Sequence, residues 1–155
     1  MDRRAAYGRR FPGAIILPYD DAWPEIAEDA FVAPGAVVVG RVTIGSRSSV
    51  WFNTTVRGDI APITIGARSS VQDGTVVHVN MDAPVVIGDG VTIGHGALIH
   101  GTTIEDGALV GMGAIVLSYS RIGRGAVVAA GALVPERAEV PGGAVVAGVP
   151  ARQRR

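Results

Sequence analysis

One period dominates this sequence. Stepping by six from Val32 reaches Val38, Ile44, Val50 and Val56; a longer step reaches Ile65, then Val71 and Val77. Another long step reaches Ile87, Ile93 and Ile99, and a short one reaches Ile104. Sixes then resume through Val110, Val116, Ile122, Val128 and Val134. Every landing is valine or isoleucine. Two residues earlier stands a small or β-branched side chain, as at Thr54, Ser69, Thr75, Ala97, Thr102, Ala108 and Ala114. Strand side chains alternate with period two, so each landing and its smaller neighbour point the same way. A six-residue step rotates around an α-helix instead of holding one face, so a helical reading fails. Glycines such as Gly45, Gly66, Gly88, Gly94, Gly111 and Gly123 follow landings where the chain must turn a corner. Short strands joined by corners wind into a coil with three hexapeptides per turn. The chain is therefore all-β, a parallel β-helix of triangular section.

A chain of 155 residues is long enough for one domain with a sizeable core. It has no cysteine, which removes disulfides, thiol catalysis and thiolate metal sites, so a metal site must use His, Asp or Glu. The formal net charge is zero, against the basic face a nucleic-acid partner requires. No run approaches the roughly 20 apolar residues of a membrane span. Arg3-Arg4 and Arg9-Arg10 precede Ala14-Ile15-Ile16-Leu17, too short for a secretory segment. A cytoplasmic protein with no membrane partner is expected.

The pattern divides the chain into a lead-in and cap over 1–31, a coil over 32–134 and an extension over 135–155. Pro24 to Phe31 is expected to close the bottom of the coil, and Arg152-Gln153-Arg154-Arg155 to be a solvated tail. The coil should have five to six turns, about 25–30 Å at roughly 4.8 Å per turn. Two insertions interrupt it: Arg57 to Pro62 after Val56, and His78 to Val86 after Val77. Insertions on a repeat scaffold tend to gather on a functional edge.

Three faces follow from the step. Face A carries Val32, Val50, Val71, Ile93, Val110 and Val128; face B carries Val38, Val56, Val77, Ile99, Val116 and Val134; face C carries Ile44, Ile65, Ile87, Ile104 and Ile122. The residue before each landing points outward. On face C these are mostly polar. On face B they are Val37, Thr55, Val76, Leu98, Ile115 and Leu133, an apolar stripe that marks a contact surface. Cyclic self-association into a homotrimer would bury it.

All three histidines flank that face. His78 follows Val77 and His100 follows Ile99, so they stack on successive turns at the B-to-C corner, with Arg57 one turn below. His95 lies two past Ile93, at the A-to-B corner, a strand's width of about 16 Å away. Zinc holds imidazole nitrogens at about 2.0–2.1 Å, so one chain supplies His78 and His100 but not His95. Around a threefold axis, His95 of a neighbour completes a three-histidine site. Gln72 and Asp73 sit one turn below Gly94 and His95, and Asp73 is a candidate to orient a histidine or a coordinated water. Arg57 and Asp59 are placed to pair across the interface. Tyr119 falls at the B-to-C corner above His100, either lining the site or covering the coil.

Trp51-Phe52-Asn53, Val56-Arg57-Gly58-Asp59, Gln72-Asp73-Gly74-Thr75, His78, and Ile93-Gly94-His95-Gly96-Ala97-Leu98-Ile99-His100-Gly101 occur in this order. With them, residues 24–152 resemble the γ-class carbonic anhydrase-like proteins, hexapeptide-repeat chains of the left-handed β-helix family. The resemblance implies a homotrimer with Zn²⁺, or Fe²⁺ or Co²⁺, between subunits, and His78, His95 and His100 match the family's metal ligands. Arg57, Asp59, Gln72 and Asp73 match residues around the site, with Asn53 as a further neighbour and Tyr119 as a candidate lining residue. The implied reaction is hydration of CO₂ to bicarbonate and a proton, by a hydroxide formed on the metal and oriented by Gln72. Two departures stand out. The class prototype has a glutamate in an acidic loop that exports protons, whereas here the loop reads Asp59-Ile60-Ala61-Pro62. Members also commonly continue into a C-terminal helix packed on the coil, which this sequence does not include. The competing readings are an acyltransferase or thioesterase for a CoA-linked substrate, and a catalytically silent trimeric scaffold.

Overall fold

The computed structural model describes residues 3–154. A short helix, Arg3–Arg10, precedes a chain of strands two to eleven residues long. The strands form a twelve-stranded and an eight-stranded sheet. Register shows how they stack. Thr55, Val76, Leu98, Ile115 and Leu133 lie above one another in parallel pairing on face B. Thr64, Val86, Thr103, Arg121 and Glu139 do the same on face C. Phe31, Ser49, Ser70, Thr92, Leu109, Val127 and Val145 form the column on face A. Faces B and C belong to one sheet because Val37–Ile44 and Thr55–Ile65 pass through the corner between them as continuous strands. The protein is a left-handed parallel β-helix.

The landing residues fill its interior. Val50, Val56, Val71, Val77, Ile93, Ile99 and Ile104 are wholly buried. The hydroxyls beside them are not wasted in that apolar shaft, because each reaches a carbonyl of the next coil. Thr54 donates to Gln72 at 2.8 Å, Ser69 to Gly88 at 2.7 Å and Thr102 to Ser120 at 2.8 Å. Each such bond contributes about 1 kcal/mol net, but leaving the hydroxyl unpaired there would cost more.

The ladder is longer than the 32–134 span. Ile15 pairs with Val37 and Glu25 with Thr43 at the bottom; Glu139 pairs with Arg121 and Val145 with Val127 at the top. Ile16, Ile26, Val140 and Val146 are buried in the shaft like the other landings. Pro24 to Phe31 thus belongs to the first turn. What lies beneath it is the N-terminal helix and Phe11, which is 5% exposed. Arg10 donates to the carbonyls of Ile26 and Ala27, and Tyr7 to that of Pro24 at 2.6 Å. At the other end Arg152–Arg154 is a strand, antiparallel to Val145–Ala147, though its side chains are exposed. Backbone pairing, invisible to composition, sets the path of that polar segment. Arg155 lies outside the described residues.

Candidate metal centre

Parallel register places His100 directly over His78, and His78 directly over Arg57. The imidazole centroids are 5.1 Å apart with planes at 62°, and His78 Nδ1 lies 3.1 Å from His100 Nε2. The first insertion bends Asp59 back to this column. Its Oδ1 lies 3.0 Å from His78 Nε2, and its other oxygen pairs with the Arg57 guanidinium. On the far side, His100 Nδ1 lies 2.8 Å from Ser118 Oγ, which accepts from Asn80 Nδ2 at 3.3 Å. Asn80 stands in the second insertion, held by a bridge between Asn80 and Ala83. Arg57, Asp59, His78, His100, Ser118 and Asn80 form one unbroken polar chain across four coils.

Its electrostatics favour metal ligation. Burial, with the neighbouring His78 and Arg57, pushes His100 below the ordinary histidine pKa, toward the uncharged ring that binds metals. Burial alone would raise Asp59. The Ile60 N–H, His78 and Arg57 together outweigh it and hold the carboxyl below its ordinary value.

His95 stands at the other edge of face B. Its Nδ1 lies 3.0 Å from Asp73 Oδ2, with the two side chains 52% and 42% exposed. The Gly96 amide donating to the Asp73 carbonyl at 2.8 Å fixes the stacking of these two corners. Gln72 and His95 edge an open groove of about 470 Å³ floored by Leu109, Val110, Met112 and Val127.

The structure therefore joins Arg57, Asp59, His78 and His100 and keeps His95, Asp73 and Gln72 apart from them. Among the described residues of one chain, no three His, Asp or Glu side chains converge on a point a metal could occupy. Tyr119 does not sit over His100. Because Ile99 pairs with Val116, the residue above His100 is Leu117, and Tyr119 lies two residues further on. Its hydroxyl donates to Asp82 at 2.6 Å and its ring lies under Arg137. Asn53 is exposed and takes φ +57°, the corner position that Gly74 and Gly96 fill on the next two turns. Asparagine tolerates that left-handed geometry, which gives it a turn-forming reason to be there.

The donor set fits a metal. In each histidine one nitrogen is engaged by an oxygen: Asp59 for His78, Asp73 for His95, Ser118 for His100. That is the support metal-ligating imidazoles use to fix the ring and free the other nitrogen. Two nitrogens on a tetrahedral zinc lie about 3.3 Å apart, close to the 3.1 Å between His78 Nδ1 and His100 Nε2. Sequence reading missed Ser118 and Asn80. Ser118 follows Leu117 at a corner filled by Gly101 one turn below, so its type alone carried little signal.

Residues 84–118 match a family profile described as the hexapeptide repeat of succinyl-transferase. The chain is 42% identical over 109 residues to a carbonic anhydrase of Geobacillus kaustophilus, covering 70% of this chain and 60% of the relative. It is 48% identical over 103 residues to a mitochondrial gamma carbonic anhydrase of Arabidopsis thaliana, covering 63% of this chain and 37% of the relative. These matches take in less than two thirds of those relatives' length. A crystal structure of a Bacillus cereus protein, provisionally described as an acetyltransferase, superposes with a TM-score of 0.91 at 40% identity. That match covers 92% of this chain and 83% of the other. The chain belongs to the γ-class carbonic anhydrase-like family of hexapeptide-repeat proteins.

Proposed function

We propose that this protein is a metal-dependent carbonic anhydrase, converting CO₂ and water to bicarbonate and a proton at a site shared between subunits. The metal is Zn²⁺, with Fe²⁺ and Co²⁺ as alternatives suited to the same imidazoles. Face B packs about the threefold axis of a homotrimer, so that His78 and His100 of one subunit face the His95 edge of the next. The exposed apolar residues on that face, Ile15, Val76 and Leu98, support this packing. The observation that carries the reading is the oxygen partner on one nitrogen of every histidine. A bound divalent metal would supply Lewis acidity, bringing the pKa of water toward 7. The chain's own groups do the rest. Asp59 accepts the Nε2 proton of His78 and leaves Nδ1 as donor to the metal; Arg57 holds Asp59 in place. Asp73 does for His95 what Asp59 does for His78. Gln72, on the His95 corner, orients substrate through its amide. The protein works in the cytoplasm, and neither nucleic acid nor membrane is its partner; no described helix is long and apolar enough to cross a membrane.

The test is metal content per subunit on protein purified without chelators, wild type beside His95→Ala, each sized by light scattering. About one metal per chain in a trimer, lost in the variant together with CO₂ hydration, is expected. A trimer that takes up no zinc, iron or cobalt sinks the reading. A second reading, acyl transfer from a CoA-linked donor, draws on the Bacillus cereus likeness and the apolar groove beside His95. Calorimetry with acetyl-CoA separates the two, because only acyl transfer expects binding.

A further inference from the structure

Ser118 hydrogen-bonds both His100 and Asn80, and the pair closes the polar chain at its upper end. Ser118 is 2% exposed, deeper than either histidine of the stacked pair. Two separate features bring it there. Gly101 takes φ +53° beside His100, and a Cβ at that position would lie 3.0 Å from Ser118 Oγ and 3.1 Å from the Ala83 Cβ. Only glycine lets the two coils approach so closely. The second insertion then folds back so that Asn80, 38 residues away in sequence, donates to the same oxygen.

We infer that Ser118, braced by Asn80, is a positioning residue that keeps Nδ1 of His100 hydrogen-bonded in either tautomer and so lets its Nε2 give up its hydrogen and hold a metal. This rests on the metal reading above. Consider the chain with uncharged imidazoles. Ionised Asp59 can only accept, so His78 carries its hydrogen on Nε2 and accepts at Nδ1. His100 must then donate from Nε2, and its Nδ1 accepts from the Ser118 hydroxyl, whose oxygen accepts from Asn80. Every contact is satisfied, with the hydrogens all running toward Asp59.

With a divalent metal held at His100 Nε2, the upper half of the chain would run the other way. The Nε2 hydrogen leaves to solvent and one arrives at Nδ1, so the ring gains and loses one proton and stays neutral. Nδ1–H now donates to Ser118 Oγ. The Ser118 hydroxyl hydrogen turns to Asn80, whose amide rotates to present Oδ1. A serine and an asparagine can serve both directions because each is donor and acceptor. An alanine at 118 leaves Nδ1 with no partner for either tautomer, at a buried position where that is costly.

The experiment uses the full chain, metal-free and zinc-loaded, with ¹⁵N imidazole shifts for tautomer and competition against a chromophoric chelator for zinc affinity. In wild type, His100 should be the Nε2–H tautomer without zinc and the Nδ1–H tautomer with it. Ser118→Ala should leave the metal-free His100 as Nε2–H, held by His78, but strand Nδ1–H in the zinc-loaded form and weaken zinc binding about 10–100-fold. Asn80→Ala, at a partly exposed side chain, should weaken it less with the fold intact. Ser118→Thr keeps the hydroxyl and should restore most of the affinity. Zinc affinity unchanged in both alanine variants would overturn the role of Ser118 while leaving the metal site standing. A wild type that binds no zinc would overturn both.

Discussion

Two polar columns climb this prism, and they are built on opposite principles. At the C-to-A corner, carboxylates bind backbone. Asp89 accepts the Ala67 amide at 2.8 Å, Asp106 the Asp89 amide at 2.9 Å, Glu105 the Arg124 amide at 2.8 Å, and Asp29 the Arg47 amide at 3.2 Å. Arginines pair with them on the outside, Arg68 with Asp89 and Arg124 with Asp106. At the B-to-C corner, Arg57, Asp59, His78, His100, Ser118 and Asn80 are joined side chain to side chain. A carboxylate tied to a main-chain N–H is committed to shape, since freeing it strands a peptide group. Side chains tied mainly to one another, with the Ile60 N–H on Asp59 as a backbone anchor, can rearrange around a guest. The first column is a structural seam; the second is where chemistry can enter.

That contrast can be broken most forcefully at His78. His78→Ala should lower CO₂ hydration about 10³-fold and abolish metal uptake, while changing unfolding free energy by only about 1 kcal/mol. Stopped-flow assay, metal analysis and urea titration check the three parts, and retained hydration would erase the distinction between the columns. Gly88→Ala should do the opposite. Its new Cβ would lie 2.4 Å from Asp106 Oδ1 and 2.8 Å from the Asp106 nitrogen, so the seam itself must shift. Stability should fall by about 2–3 kcal/mol with metal per folded chain unchanged.

The smallest effect is on acid stability. The Arg124 amide, with the Arg121 and Arg124 side chains, holds Glu105 below the ordinary 4.5 against an opposing burial effect. The Asp89 amide and Arg124 likewise hold Asp106 below 3.8. The folded chain therefore releases these protons at lower pH than the unfolded one. Their stabilisation is complete above the ordinary values and drains away as pH falls through the lowered ones. The share of the melting temperature that these carboxyls supply should hold down to about pH 4.5 and then drop, and Glu105→Gln should make that acid limb shallower. An unchanged acid limb in the variant would remove Glu105 from the seam.

The six-residue step made the shaft, its three faces and the stacking of His78 on His100 legible, because parallel pairing repeats one spacing faithfully. The step itself runs on past both ends of the 32–134 span, down from Val32 to Ile26 and up from Val134 through Val140 to Val146, and the reading stopped short of them; only from Ile16 to Ile26 does the chain detour, through Leu17 to Pro24. Tyr119 was misplaced for another reason: a residue's turn is not its register, and two residues past Leu117 the side chain has already swung toward Asp82. Ser118 and Asn80 lay beyond reach because their contact depends on the path of an inserted loop, which no local spacing encodes.

A stack of parallel strands has no natural end, since its last rung offers the same unpaired amides and carbonyls as every rung before it. Such an edge is a template for another copy, and identical coils added end to end would make a fibre. Here the lowest rung is taken up by Arg10, which occupies the carbonyls of Ile26 and Ala27, with Phe11 plugging the shaft. The uppermost strand on face A is met by Arg152–Arg154 running the wrong way for a parallel coil to continue. The reversed strand and its exposed arginines thus act as a chain terminator, keeping a repeat that could propagate without limit at the length of one molecule.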